Sequence, residues 1–150
     1  MIARFGLSRV TAVILLFGVC VFSAHTQKAK AAPVDPAVKI TKSNFVAANG
    51  ANPPTADPQG TWSKPADGID WRIEWTYGTG VKEKFKANDT GVGGAKTYSG
   101  ADKATTGTWG GVGAENLKNP LPAGSSIRVQ LLRRENCTWV MKKEDFIEIP

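Results

Sequence analysis

Residues 69–77 read Ile69-Asp70-Trp71-Arg72-Ile73-Glu74-Trp75-Thr76-Tyr77. Every odd position is large and apolar, and every even position is polar. Side chains on a strand point alternately to its two faces, so a period of two predicts a strand with one buried face. Burying each such side chain is worth about 1.5–3 kcal/mol. That places this strand at the centre of the core.

Gly78-Thr79-Gly80 then reads as a hairpin loop, and its length decides the register of the next strand. A two-residue loop puts Trp75 opposite Lys82 and Ile73 opposite Lys84. A three-residue loop, with Gly80 left-handed, pairs Tyr77 with Val81, Ile73 with Phe85 and Glu74 with Lys84. Both faces match only in the second register, which is therefore the one expected. Its flaw is Glu83, which must lie at the sheet rim or on a bulge to escape Trp75. Lys82, Lys84 and Lys86 then face outward, where lysine discourages edge pairing.

A second hairpin is expected near the C-terminus. Ile127, Val129 and Leu131 alternate on one strand, and Cys137, Trp139 and Met141 on the next. A turn at Arg134–Asn136 pairs Leu131 with Trp139 and Val129 with Met141. Residues 145–149 read as a short final strand or a docked tail. Weaker strands are expected at 38–46, 95–99 and 105–110. No helical pattern lasts three turns, and Gly and Pro recur throughout, which favours short strands joined by loops.

The fold class expected is all-β: an antiparallel β-sandwich of immunoglobulin-like architecture, or a small barrel, with six to eight short strands. The Trp-bearing central strand resembles the immunoglobulin-like pattern, in which a Trp packs between two sheets. The resemblance is one of architecture, because the cysteine pair and the tyrosine-corner context are missing.

The chain begins with Arg4 and Arg9 and no acid. An apolar run of residues 10–22 follows, then Ala29-Lys30-Ala31 before Ala32. A basic start, a short apolar run and a small-x-small site predict a secretory signal peptide over 1–31. A linker would then span 32–37 and a single β domain 38–150. The run is shorter than the roughly 20 residues a membrane span needs. A lipoprotein signal at Cys20 fits poorly, because Phe17-Gly18-Val19 is a poor match to the small residues it wants and Cys20 sits inside the apolar run. An uncleaved anchor is interrupted by Arg9. Leu121–Ser125 (LPAGS) departs from the LPxTG sorting signal and reads as a turn.

Removing the leader changes the chemistry. The full chain carries 19 Lys and Arg against 13 Asp and Glu, a net +6. Arg4, Arg9, Lys28 and Lys30 belong to the leader, so the remainder is near net +2. His25 and Cys20 also go, leaving Cys137 alone and no histidine. That excludes an internal disulfide, a Cys/His zinc site, a Ser-His-Asp triad and a Cys-His pair. Cys137, in phase with Trp139 and Met141, is expected to be a buried filler, the alternative being a thiol that pairs between molecules.

Five tryptophans are present. Trp71, Trp75 and Trp139 lie in phase with apolar neighbours and are expected in the core. Trp62, in GTWSKP, and Trp109, in GTWGG, are flanked by Gly, Ser or Thr. With Tyr98 they are the candidate ligand-binding residues, as exposed platforms for sugar rings. The loop 87–94 carries Asp89 but too few carboxylates for calcium. Its glycines do not spell a phosphate loop. Asp67, Asp70, Glu74 and Glu83 are the only acid–base candidates, and a glycosidase needs two of them facing each other. Arg133, Arg134, Lys142 and Lys143 form a basic cluster that reads as a solvated strand face, the alternative being contact with an anionic surface. Asn88-Asp89-Thr90 and Asn136-Cys137-Thr138 fit the N-glycosylation triplet, which matters only in a eukaryotic secretory route.

The sequence therefore predicts a secreted, periplasmic or cell-envelope module without catalytic residues, metal or cofactor. Its expected partner is a protein or a glycan at the cell surface, with no nucleic acid and no membrane span after cleavage. The alternatives are a carbohydrate-binding module using Trp62, Tyr98 and Trp109, and a small carboxylate-based hydrolase.

Overall fold

The computed structural model describes residues 32–88, 93–110 and 114–150. The signal-peptide reading over 1–31 and the Asp89 position lie outside the described residues. Among the described residues there are ten strands: β1 (Ala37–Lys42), β2 (Thr55–Ala56), β3 (Gln59–Ser63), β4 (Trp71–Thr79), β5 (Lys86–Ala87), β6 (Gly94–Tyr98), β7 (Thr106–Trp109), β8 (Glu115–Asn116), β9 (Ser125–Glu135) and β10 (Thr138–Glu148). All pairings are antiparallel. One sheet has the order β1-β3-β7, a larger one β10-β9-β4-β5 with β6 also on β4, and β2 pairs β8. The architecture is all-β and barrel- or sandwich-like. The strand count exceeds the six to eight expected because β2, β5 and β8 are two-residue pairings that no periodicity can announce.

The central strand forms where its alternation placed it. Trp71, Ile73, Trp75 and Tyr77 are buried, and β9 runs beside them with Ile127, Val129 and Leu131 equally buried. β1 and β3 bring Val38, Ile40 and Trp62 to the same core, and β7 brings Trp109. Asp145 links the sheets: its Oδ2 accepts from the Ile40 amide at 2.8 Å, so a β10 side chain caps a β1 main-chain donor.

Two tripeptides of identical sequence explain the smaller sheet. Gly60-Thr61-Trp62 in β3 lies antiparallel to Gly107-Thr108-Trp109 in β7, so Gly60 faces Trp109 and Trp62 faces Gly107. Each indole lies over the other strand's glycine. A Cβ at Gly60 would stand 2.5 Å from Trp109 Nε1, and one at Gly107 2.8 Å from Trp62 Cζ2. Each indole N–H then reaches a carbonyl, Trp62 that of Thr108 and Trp109 that of Lys39, both at 3.2 Å. Trp75 repeats the device opposite Gly94, where a Cβ would stand 2.5 Å from its Nε1.

The first hairpin departs from both expected registers. Gly80 does hold a left-handed conformation (φ 79°), but Lys82 does too (φ 49°). The chain therefore coils into a 3-10 turn at Lys82–Lys84 instead of starting a strand. It returns to β4 only at Lys86 and Ala87, opposite Thr79 and Gly78. Ile73 pairs with Lys96 of β6, not Phe85, and Tyr77 with Ile127 of β9, not Val81. Glu83 escapes the core on the exposed turn. Lys82, Lys84 and Lys86 are exposed as expected, but not as one strand face.

The second hairpin is shorter than expected. Its loop is Asn136-Cys137, with φ of 49° and 65°, and Glu135 pairs with Thr138. Two residues at positive φ are what a tight hairpin matching the strand twist requires. Leu132, not Val129, therefore faces Met141, and Trp139 faces Arg134. Cys137 is exposed at the tip, Met141 is 45% exposed and Trp139 is half-buried, so none of the three is core filler. A bulge between Met141 and Lys143 resets the phase. Asp145 and Ile147 then point inward, and residues 145–148 continue β10 instead of forming a separate strand.

The Trp–Gly contacts give a direct stability test. Gly60→Ala drives a methyl against the Lys39 carbonyl and Trp109, and is expected to cost at least about 2 kcal/mol, as overpacking does. Gly50→Ala meets nothing within 4 Å but keeps φ +60°, so about 1 kcal/mol is expected. Urea melts of the two variants measure the difference.

Candidate binding face

The three candidate aromatics are core residues, not platforms. Trp62, Tyr98 and Trp109 are 6%, 8% and 5% exposed. Trp62 and Tyr98 meet with ring centroids 4.5 Å apart, tilted at 49°. Burial holds the Tyr98 hydroxyl above its ordinary pKa, with Asp102 adding to the rise and the Trp62 contact opposing it. Trp109 lies across β3 from this pair.

The candidate carboxylates are dispersed and engaged. Asp67 Oδ1 accepts from the Trp71 indole at 3.2 Å and the Ile69 amide at 3.1 Å, while its Oδ2 pairs with Arg133 Nε at 3.1 Å. Asp70 accepts from the Gly100 amide at 2.7 Å and pairs with Arg134 at 3.4 Å. Glu74 pairs with Arg72 at 2.7 Å, and Glu83 sits on the exposed turn. Among the described residues no group of His, Cys, Asp and Glu could hold a metal ion. No described helix is long and apolar enough to cross a membrane.

The basic cluster is part of a clasp at the open end of β4. Arg133 bridges Asp67 and Glu135, and Lys142 reaches Glu135 at 2.7 Å. Partial burial would raise Asp67, but hydrogen bonds from Trp71, Ile69 and Arg133 outweigh it and hold the carboxyl below its usual value. Lys142 and Arg133 hold Glu135 low as well.

What the fold leaves outside is the other face of the large sheet. Opposed residues in an antiparallel ladder share a face, so the register lays out the outward set. Trp139 stands with Arg134, Met141 with Leu132 and Arg72, and Phe146 with Arg128 and Thr76. The Arg72 and Arg134 guanidinium carbons lie 5.8 and 6.0 Å from the Trp139 ring centroid. Six residues away on β9, the Arg128 guanidinium lies 4.5 Å over Phe85, whose ring is 5.7 Å from Phe146. The face carries two arginine–aromatic clusters. Recesses among the described residues lie elsewhere: about 450 Å³ along Val38, Trp62 and Gly107, about 330 Å³ along Gln59, Gly60 and Trp109, and about 200 Å³ beside Gly78, lined by Tyr77, Lys86 and Ser125 among others.

Sequence reasoning missed Trp139, Met141, Arg128, Phe85 and Phe146 as a surface. The available signal was Met141-Lys142-Lys143-Glu144-Asp145. Four polar residues in a row cannot keep a period of two, so the strand phase before and after them must differ.

The clasp gives a pH dependence. Both depressed carboxylates contribute stability that is present above their unfolded pKa, about 4, and lost as pH falls through the lower folded values. Denaturant midpoints are expected to fall between pH 5 and about pH 2. Asp67→Asn is expected to flatten that fall and to cost about 1 kcal/mol at pH 7. Compared with known protein families, curated proteins and solved structures, the chain matches none.

Proposed function

We propose that the chain is exported, that residues 1–31 are removed, and that the β domain is a non-catalytic binding module, secreted or held at the cell envelope. The export reading rests on the basic start, the short apolar run and Ala29-Lys30-Ala31. The non-catalytic reading is supported by the engagement of Asp67, Asp70 and Glu74 with cations and by the lack of histidine after the leader.

One observation carries the binding role. Trp139, Met141 and Phe146 point outward from a sheet whose inward side is already filled by Trp71, Ile73, Trp75, Tyr77, Ile127, Val129 and Leu131. These outward residues are not needed to close the core. Aromatic residues, Met and Arg are the types enriched where protein surfaces make contacts, and Trp and Arg dominate the energetics there. The docking surface is the outward face of β10, β9 and β4, centred between Trp139 and Phe146. The aromatics that serve it are not Trp62, Tyr98 and Trp109.

Two measurements test this. N-terminal sequencing of exported protein is expected to start at Ala32, and an intact Met1 in a membrane pellet would contradict the reading. A Trp139→Ser/Met141→Ser variant is expected to keep its melting temperature within a few degrees, as surface changes do. It should leave the envelope fraction in which the unaltered protein is retained. Unchanged retention would contradict the proposed face.

A further inference from the structure

The described residues include Arg72, Arg128, Arg133 and Arg134, and three of these four are ion-paired: Arg72 to Glu74, Arg133 to Asp67 and Glu135, and Arg134 to Asp70. Arg128 is the exception. No carboxylate among the described residues lies within ion-pair distance of it, and its Nε is buried without an acceptor. The acidic residues nearest in register on its face are Glu74 and Glu144, both opposite Gln130, and Glu148, opposite Ser126, each one outward position away; Glu74 is already paired with Arg72.

The guanidinium is nonetheless held in place. Phe85 lies 4.5 Å beneath it, and Phe146, directly opposite on β10, packs against Phe85. The ring contact restrains the guanidinium, and its planar fork matches carboxylate, phosphate or sulfate geometry. Phe85 is delivered by the 3-10 turn that carries Lys82 and Lys84, both exposed, with Glu83 the one acid between them.

From these contacts we infer that Arg128, on its Phe85–Phe146 shelf, is an oxyanion site for an anionic polysaccharide lying along β9. This rests on the reading of the outward sheet face as the docking surface. The second cluster, at Arg134 and Trp139, is six residues further along the same strand, about 20 Å at strand rise. An occupant that reaches both is an extended polymer. An extended peptide is favoured at an open strand edge, where main-chain groups are free to pair. β10, which carries Trp139 and Phe146, is the edge strand, but Arg128 and Arg134 stand on β9, whose main chain is paired on both sides, so a peptide added to the edge would lie beside the arginines, and recognition at them falls to charges and ring faces. Anionic groups would meet arginine, and sugar rings would pack on Trp139 and Phe146.

The test titrates the purified protein with heparin as the sulfated polysaccharide, with desulfated heparin, and with oligothymidylate. Heparin is expected to bind, desulfated heparin at least tenfold more weakly, and oligothymidylate more weakly than heparin. Arg128→Gln is expected to weaken heparin binding at least tenfold, and Arg128→Lys, which keeps the charge but not the fork, severalfold. Lys118→Gln, an equal charge change away from the face, is expected to change it less than twofold. Equal losses for Arg128→Gln and Lys118→Gln, equal binding of desulfated heparin, or no heparin binding would overturn the inference. Oligothymidylate binding as tightly as heparin would overturn it in favour of a nucleic acid. If Trp139→Ser weakens binding while Arg128→Gln does not, the docking face stands and this inference falls. If neither weakens it, both fall.

Discussion

The rest of the structure depends on tryptophan rings lying flat over glycines of the neighbouring strand. In the small sheet the contact is reciprocal, because Gly60-Thr61-Trp62 and Gly107-Thr108-Trp109 pair head to tail. Each strand supplies the ring that the other accommodates. A β-carbon at either glycine would collide with the opposing indole. The two large rings thus occupy alternate ladder positions, on one face, without forcing the strands apart. Trp75 over Gly94 does the same for the large sheet. Aromatic bulk beside glycine compensates for the side chain that glycine lacks, which otherwise weakens a strand.

That arrangement decides which aromatics remain outside. Four of the tryptophans are consumed by the interior, and their N–H groups turn to nearby acceptors where one is in reach: Trp62 to Thr108, Trp109 to Lys39 and Trp71 to Asp67. With the interior filled, the β9–β10 hairpin has no inward room for Trp139. Its two-residue loop and the bulge after Met141 send Trp139 and Met141 outward, then return Asp145 and Ile147 to the inside. Asp145 uses that return to cap the Ile40 amide and tie the sheets together. The bulge therefore builds the outward face and the inter-sheet link at once.

Much of the fold was legible from period alone. The alternation of residues 69–77 and of Ile127, Val129 and Leu131 reports burial directly, because side-chain direction on a strand has no other source. Registers were not legible, because they hang on loop conformations that one or two residues decide. Lys82 at positive φ turns a plausible strand into a 3-10 turn, and Asn136-Cys137 shortens a hairpin by one residue and inverts the strand after it. The candidate site suffered from the same cause. Glycine beside Trp62 and Trp109 reads as loop when each tripeptide is taken alone. It reads as a packing partner only when the two are set against each other. Arg128 was invisible because an arginine without an acid is defined by what three-dimensional neighbours fail to supply.

Which tryptophans lie inside decides both the packing and the docking face. Fluorine NMR of the fluorotryptophan-labelled protein, titrated with a soluble paramagnetic gadolinium chelate, reads this for all five at once. One resonance, assigned by Trp139→Phe, is expected to broaden strongly while the other four stay sharp. Comparable broadening of Trp62 or Trp109 would contradict the reciprocal packing, and with it the assignment of the docking face to Trp139.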